Sequence, residues 1–121
     1  MKLKTCKAVT VDEGSKVTIA GMTGDWKRVI LPEHTDKKEV MGVGYLNKGE
    51  GRGWHTHPKG EEEILYIIKG KALLEWKEKG EIKQLEARAG TAVYTPDEIE
   101  NNISNPYSEM MHCVFFIRLN T

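Results

Sequence analysis

The amino-acid sequence predicts an all-β fold, and two observations lead to this class. Short runs with strand character recur along the chain, and Gly, Pro, Asn and Asp separate them at the spacing typical of a β-sandwich or barrel. No segment of useful length combines helical periodicity with capping residues, so a layout of alternating strands and helices is excluded. The predicted strands span residues 6–11, 16–20, 26–31, 40–46, 53–57, 64–69, 71–78, 82–86, 91–95, 102–104 and 111–119.

The predicted strand over residues 71–78 shows how these segments pair. Ala72, Leu74 and Trp76 fall on one face, while the opposite face is mostly charged. One face is therefore buried and the other hydrated. Residues 79–80, Lys-Gly, then supply a hairpin turn into an antiparallel partner strand.

Length and charge restrict the partners of the protein. The chain, residues 1–121, is predicted to be a single domain. Its 18 basic and 18 acidic residues cancel, so neither nucleic acid nor a membrane surface is an expected partner. No apolar run approaches the roughly 20 residues of a spanning helix, and the amino terminus has no hydrophobic signal segment. Together with Cys6 and Cys113, which are expected as free thiols, these features predict a cytoplasmic protein.

Two histidines and a glutamate form the most informative cluster of the sequence. In an extended chain, His55 and His57 project from the same face because side chains alternate with a period of two. Glu63 opens the next strand run after a short turn, so the chain returns this carboxylate toward the imidazoles. Such a donor set suits divalent iron, manganese, zinc, nickel or copper. The alternative is that both histidines are exposed loop residues beside a hydrated acidic turn, residues 61–63.

The spacing of this cluster resembles the first motif of the cupin family. A glycine and five residues precede the paired histidines, and six residues and a second glycine follow the glutamate. The turn before the glutamate is one residue longer than is usual in the family, so Glu62 is the alternative carboxylate. Glu63 is preferred because it keeps the strand register. The motif spans residues 49–70, and its matching positions are Gly49, His55, His57, Glu63 and Gly70.

A second segment, residues 90–105, resembles the second cupin motif, with two departures. Glu98 stands in place of the turn glycine, and Asn101 stands where the family usually has its third metal-binding histidine. The positions that match are Gly90, Pro96 and Asn105.

The resemblance implies a double-stranded β-helix of the jelly-roll type, in which two antiparallel sheets enclose a pocket. It also implies that His55, His57 and Glu63 are metal ligands and that Asn101 occupies the fourth ligand position. An asparagine oxygen is a weaker donor than imidazole for a transition metal. Three outcomes are therefore open: the metal keeps three protein ligands and water, Asn101 coordinates through oxygen, or the site binds an organic ligand without metal.

Two functions of different classes follow from the resemblance. In the first, the chain is an enzyme whose metal acts on a small organic molecule, as in the dioxygenases, decarboxylases, lyases and isomerases of the family. In the second, which the missing histidine favours, it is a non-catalytic binding or sensor module for a sugar or organic acid. One fold supports many reactions, so the resemblance fixes neither substrate nor chemistry. Similar proteins are often dimers, and an exposed sheet edge invites pairing, so a homodimer is predicted.

Other polar residues are assigned to roles outside the cluster. Arg52, in the Gly-rich approach to the histidines, is predicted to be a hydrated loop residue, with contact to an anionic substrate as the alternative. His34 is predicted to lie in a surface loop, and strand parity predicts that His112 points away from the core. Glu100 alternates to the face opposite Asn101 and is a poor substitute ligand.

Overall fold

The computed structural model describes residues 5–120. This part of the chain contains ten β-strands and two short 3₁₀ turns, Val11–Glu13 and Pro32–His34. It holds no helix long and apolar enough to cross a membrane. The strands are β1 Ser15–Lys16, β2 Asp25–Ile30, β3 Glu39–Leu46, β4 Glu50–Gly51, β5 Glu62–Lys69, β6 Lys71–Glu78, β7 Glu81–Arg88, β8 Ala92–Thr95, β9 Asn101–Asn105 and β10 Met111–Arg118.

The strands form two antiparallel sheets that share one core. One sheet has the order β1-β2-β3-β10-β5-β8, and the other has the order β4-β9-β6-β7. After the hairpin β6-β7, the chain crosses from one sheet to the other at β8, β9 and β10, which is the winding of a double-stranded β-helix. The predicted all-β, jelly-roll fold class is confirmed. Residues from both inner faces fill the core, the largest being Trp26, Leu46, Ile67, Ile103, Met111 and Phe115.

Two glycines on the inner face of β3 let aromatic rings lie directly against the strand. A Cβ atom on Gly42 would lie 2.3 Å from the ring of Phe115, and one on Gly44 would lie 2.4 Å from the ring of Trp26. Carbon atoms do not approach so closely, so only glycine admits both rings at these positions. The two ring centroids are 6.0 Å apart.

The strand β6 begins and ends at the predicted residues, 71 and 78. The turn that follows it has positive φ angles at Lys79 (51°) and Gly80 (78°), which matches the right-handed twist of a tight hairpin. In β6, Ala72 and Leu74 are buried, as the alternation predicts. The predicted pairing of β6 with β7 is antiparallel and continuous along both strands.

Two predicted strands are wrong. Residues 6–11 run irregularly into a 3₁₀ turn, where the backbone N–H of Thr10 donates to Oε1 of Glu13 at 2.9 Å. Residues 53–57 form no strand because Gly53 has a φ of 88°, which turns the chain out of the extended conformation, and one isolated bridge at His55 remains. The predicted strand 16–20 shortens to β1, and β4 is a short strand that the pattern did not predict.

Candidate metal centre

The loop that carries the histidines follows β4 and is held against β9. The backbone N–H of Arg52 donates to the carbonyl of Ile103 at 2.9 Å. Further along, His55 and Asn101 exchange both of their backbone hydrogen bonds, each 2.9 Å long. The first-motif histidines therefore lie beside the second motif through backbone contacts that are independent of any ligand.

The structure brings together His55, His57 and Glu63, as the sequence predicts. One donor atom from each lies within 4.8 Å of the others. The two imidazole rings are nearly perpendicular, with centroids 5.2 Å apart, and Nε2 of His57 lies 3.1 Å from Oε1 of Glu63. Both His57 and Glu63 are buried, with exposed fractions of 8% and 2%.

His55 presents an unprotonated ring nitrogen. Its Nδ1 lies 3.0 Å from the carbonyl oxygen of Gly53, and a carbonyl only accepts, so Nδ1 carries the proton. The other nitrogen, Nε2, is buried and has no hydrogen-bond partner among residues 5–120. Burial lowers the pKa of His55, which keeps the ring neutral. A neutral imidazole with one nitrogen held by a carbonyl is the usual state of a metal ligand.

Arg52 lies inside the barrel, so the prediction of a hydrated loop residue is wrong. Its side chain is only 9% exposed, and its two terminal nitrogens donate to Oε1 and Oε2 of Glu63 at 2.6 and 2.7 Å. The guanidinium carbon lies 4.7 Å from the ring centroid of Trp26 and 5.2 Å from that of Phe115. The physical reason is that a buried carboxylate needs a counter-charge, and this guanidinium supplies it.

The pKa of Glu63 is set by opposing effects. Burial raises it, but the charge of Arg52 and the hydrogen bonds from His57 and Arg52 outweigh burial and lower the pKa to about 2. Glu63 is therefore ionised at neutral pH, in contact with one fixed cation.

This pKa predicts that the metal-free protein loses stability in acid. The folded pKa lies below the ordinary value of 4.5, so the stabilisation is complete above about pH 4.5 and is lost as the pH falls toward 2. A shift of this size corresponds to about 3 kcal/mol in the free energy of unfolding. Urea unfolding between pH 2 and 6 should show this loss in the wild type and in Glu62→Gln. It should be absent from the double variant Arg52→Met/Glu63→Leu, and an equal acid loss there would contradict the assignment.

The remaining ligand candidates differ in position. Asn101 is 5% exposed, and its Nδ2 donates to the carbonyls of His55 and Ile99 at 3.3 and 3.0 Å, so Oδ1 is the atom that remains for a ligand. Glu62 points to the outer face of its sheet, where Tyr94 and Arg118 donate hydrogen bonds to it. The alternative carboxylate therefore lies outside the cluster.

The other two histidines lie away from the cluster. Nδ1 of His34 accepts a hydrogen bond from the backbone of Leu31 at 3.0 Å, within a 3₁₀ turn where the residue is half-buried. His112 stacks on Tyr45 with ring centroids 4.1 Å apart. This contact is on the outer side of the sheet, as the strand parity predicts.

The two glutamates of the second motif have structural contacts. Glu98 has a φ of 60°, a left-handed conformation that favours glycine, and its N–H donates to the carbonyl of His57 at 2.9 Å. Oε1 of Glu100 lies 2.9 Å from Nζ of Lys77. Glu98 thus adopts a backbone conformation that suits the glycine usual at this position of the family motif.

The residues fit a divalent metal ion. Nε2 of His55 has no hydrogen-bond partner in the described chain, and His55 lies in one cluster with His57 and Glu63. A carboxylate has about four lone-pair sites, so the two bonds from Arg52 leave room for a metal on Glu63. Because Arg52 already neutralises Glu63, the cluster attracts a dication less strongly than a free carboxylate would.

The contact between Arg52 and Glu63 is the site feature that the sequence pattern does not predict. A signal for it was present. Glutamate is almost never fully buried without a partner, and Glu63 is predicted to turn toward the histidines, so a nearby cation is expected. Arg52 is the cation that lies closest to the histidine pair on its amino-terminal side.

Comparisons with known proteins agree with this geometry. A family model described as Cupin domain matches residues 42–117. No curated protein sequence matches the chain. A predicted oxalate decarboxylase from Thermotoga maritima superposes with a TM-score of 0.77 at 23% identity, covering 94% of this chain and 100% of that one.

Two further solved structures have the same fold. The capsular polysaccharide assembling protein CapF from Staphylococcus aureus gives a TM-score of 0.69 at 17% identity, over 88% of this chain and 28% of that one. Drosophila melanogaster CENP-C, solved bound to CAL1, gives a TM-score of 0.69 at 16% identity, over 93% of this chain and 85% of that one. Identities this low show the fold alone, whereas the family model covers both motifs. The chain therefore belongs to the cupin family.

Proposed function

We propose that this protein binds one divalent metal ion through His55, His57 and Glu63 and acts on a small organic molecule. The observation that carries the proposal is the buried Nε2 of His55, which is unprotonated and unpartnered in residues 5–120, on a residue that clusters with His57 and Glu63. Asn101 adds a carbonyl oxygen beside them, in place of a fourth strong ligand.

The protein residues have separate roles in this proposal. Gly53 holds the His55 ring through Nδ1, and Arg52 holds Glu63 through both carboxylate oxygens, so these two donors are oriented before a ligand arrives. When bound, the metal supplies Lewis acidity toward a substrate carbonyl or hydroxyl, or a coordination position for dioxygen. Iron, manganese, zinc, nickel and copper all suit this donor set.

Elemental analysis tests the metal site directly. Protein purified without an affinity tag and reconstituted with each metal should hold about one ion per chain. His55→Ala and Glu63→Gln should lower the affinity at least tenfold, because removing even an outer partner of a metal ligand costs about 10–100-fold. His34→Ala and Glu62→Gln change the same residue types away from the cluster and should bind like the wild type. Absence of stoichiometric metal in the reconstituted wild type would refute the proposal.

A second candidate is a non-catalytic binding module for a small molecule such as a sugar or organic acid. The observation that favours it is that Arg52 already occupies both oxygens of Glu63, which weakens the site for metals. Thermal unfolding with separate panels of metals and organic ligands distinguishes the two functions. Stabilisation by an organic ligand and by no metal would support the second function.

We also propose a cytoplasmic location. Within the described chain, Cys6 and Cys113 are both unpaired, as expected in a reducing compartment. Burial raises the pKa of Cys113 to about 12, so its thiol is inert rather than nucleophilic. Cell fractionation checks the location, and recovery of the protein from an extracellular fraction would contradict it.

We further propose that the protein is a homodimer that pairs through the outer face of the six-stranded sheet. Large apolar side chains on adjacent strands of this face are 43–57% exposed, and Glu62 with Arg118 adds one charge of each sign at its end. In a two-fold symmetric dimer the same patch of both copies meets, so apolar side chains pack on apolar side chains and each charge faces the opposite charge of the other copy. The exposed side chains are Ile64, Tyr66, Ile68, Tyr94 and Phe116.

Light scattering tests the dimer. The wild type should have twice the 13.7 kDa mass of one chain. Phe116→Glu should give a monomer because it places a charge in the apolar patch. Ile82→Glu, which changes a residue 57% exposed on the other sheet, should remain a dimer. A wild-type monomer at high concentration would exclude this assembly.

A further inference from the structure

A cavity of about 460 Å³ lies between the two sheets where the barrel is open, at the edge strands β7 and β8. It extends to Asn101, whose backbone is paired with His55. The cavity therefore adjoins the proposed metal cluster, and its volume suits a small organic ligand. Its apolar wall is formed by Leu74, Leu85, Val93, Pro96 and Ile99.

One wall of the cavity combines an aromatic ring with a carboxylate. Trp76 and Glu78 both line the cavity and share the inner face of β6 by strand alternation. Nε1 of Trp76 donates to Oε2 of Glu78 at 3.1 Å, so the exposed carboxylate lies beside the indole ring. An indole ring and a carboxylate are the two groups that attract an organic cation.

Positive charge is missing from the same wall. No lysine, arginine or histidine of the described chain lines the cavity. Cations elsewhere around the barrel are already paired, as Lys77 is with Glu100 at 2.9 Å. Arg52 donates to both oxygens of Glu63, and Lys83, the cross-strand neighbour of Trp76, donates to Glu81 at 3.0 Å. A carboxylate ligand in this cavity would meet Glu78 without a free counter-charge, so the wall disfavours it.

We propose that this cavity takes a compact aromatic amine in its cationic form and discriminates against carboxylates of the same size. The amine lies against Trp76 and Glu78, and the apolar part packs on the opposite wall. The inference rests on the proposed function in one respect: the cavity beside the cluster is taken as the place where the organic molecule binds.

Three ligands with one ring and different charges test the proposal: benzylamine, benzyl alcohol and benzoate. Their dissociation constants are measured at pH 7 by heteronuclear NMR titration of protein freed of metal with a chelator, so a carboxylate cannot bind through metal. Benzylamine should bind at least tenfold tighter than benzoate, with the alcohol between them. The shifted amide resonances should include those of β6 and β8. Equal or tighter binding of benzoate, or no binding of benzylamine, would overturn the proposal.

Two variants test whether Glu78 causes the preference for the amine. Glu78→Gln should reduce the preference for the amine over the alcohol by about three- to tenfold and leave alcohol binding unchanged, since only the cation uses the charge. Glu86→Gln removes the same charge on the outward face of β7 and should behave like the wild type. An unchanged preference in Glu78→Gln would also overturn the proposal. Elemental analysis of the reconstituted protein is a separate measurement, so failure of the metal site and failure of amine selectivity remain distinguishable.

Discussion

Arg52→Met is expected to destabilise the metal-free protein by about 3–5 kcal/mol, because it leaves the carboxylate of Glu63 buried without a counter-charge. Glu63 is 2% exposed and receives two hydrogen bonds from Arg52, so no water replaces the lost partner. Urea unfolding at pH 7, followed by circular dichroism, measures the difference.

A surface pair of the same chemistry supplies the control. Arg118 is 68% exposed and pairs with Glu62, so Arg118→Met should cost at most about 1 kcal/mol. The double variant Arg52→Met/Glu63→Leu should recover most of the loss, since apolar residues replace both charges. If Arg52→Met costs no more than Arg118→Met, the ion pair does not support the fold.

Trp26→Ala is expected to have an effect of similar size, about 3–5 kcal/mol, because it removes the largest buried side chain and leaves a cavity. Trp26 is 1% exposed, and its Nε1 donates to the carbonyl of Thr23 at 3.0 Å. Its ring also contacts the guanidinium of Arg52, so the substitution loosens the residue that holds Glu63.

An exposed tryptophan in the neighbouring loop is the matched control. Trp54 is 39% exposed and contacts Nζ of Lys77 at 5.4 Å from the ring centroid. Trp54→Ala should therefore cost about 1 kcal/mol or less in the same urea titration. Equal losses of unfolding free energy in both variants would mean that the contacts of the buried Trp26 ring do not stabilise the fold more than those of an exposed ring.

The fold was predictable from the sequence because its signals are local. The alternation of Ala72 and Leu74 and the Lys79-Gly80 turn define β6 and its hairpin without reference to the rest of the chain. The spacing of the paired histidines and Glu63 predicts that they cluster, and the structure brings them together. Such signals depend on two-residue periodicity and turn chemistry, which act between neighbours.

The environment of Arg52 was not predictable in the same way. The position of Arg52 in a Gly-rich segment favours a hydrated loop residue. Its contact with Glu63 joins residues 11 positions apart, and it depends on how the loop packs against the barrel. The strand predicted over residues 53–57 failed for a related reason. Gly53 adopts a φ of 88°, and glycine permits this conformation without revealing it in the sequence.

The edges of the two sheets bear on how copies of this chain meet. β7 borders its sheet, and its charges form ion pairs along the strand, between Lys83 and Glu81 and between Arg88 and Glu86. A strand added beside it would have to approach this row of charged side chains, and the other borders, β1, β4 and β8, are at most four residues long. Charged and short borders resist edge-to-edge aggregation. The protein is therefore protected from open-ended fibre growth, and the contact proposed between the outer faces of two sheets joins only two copies.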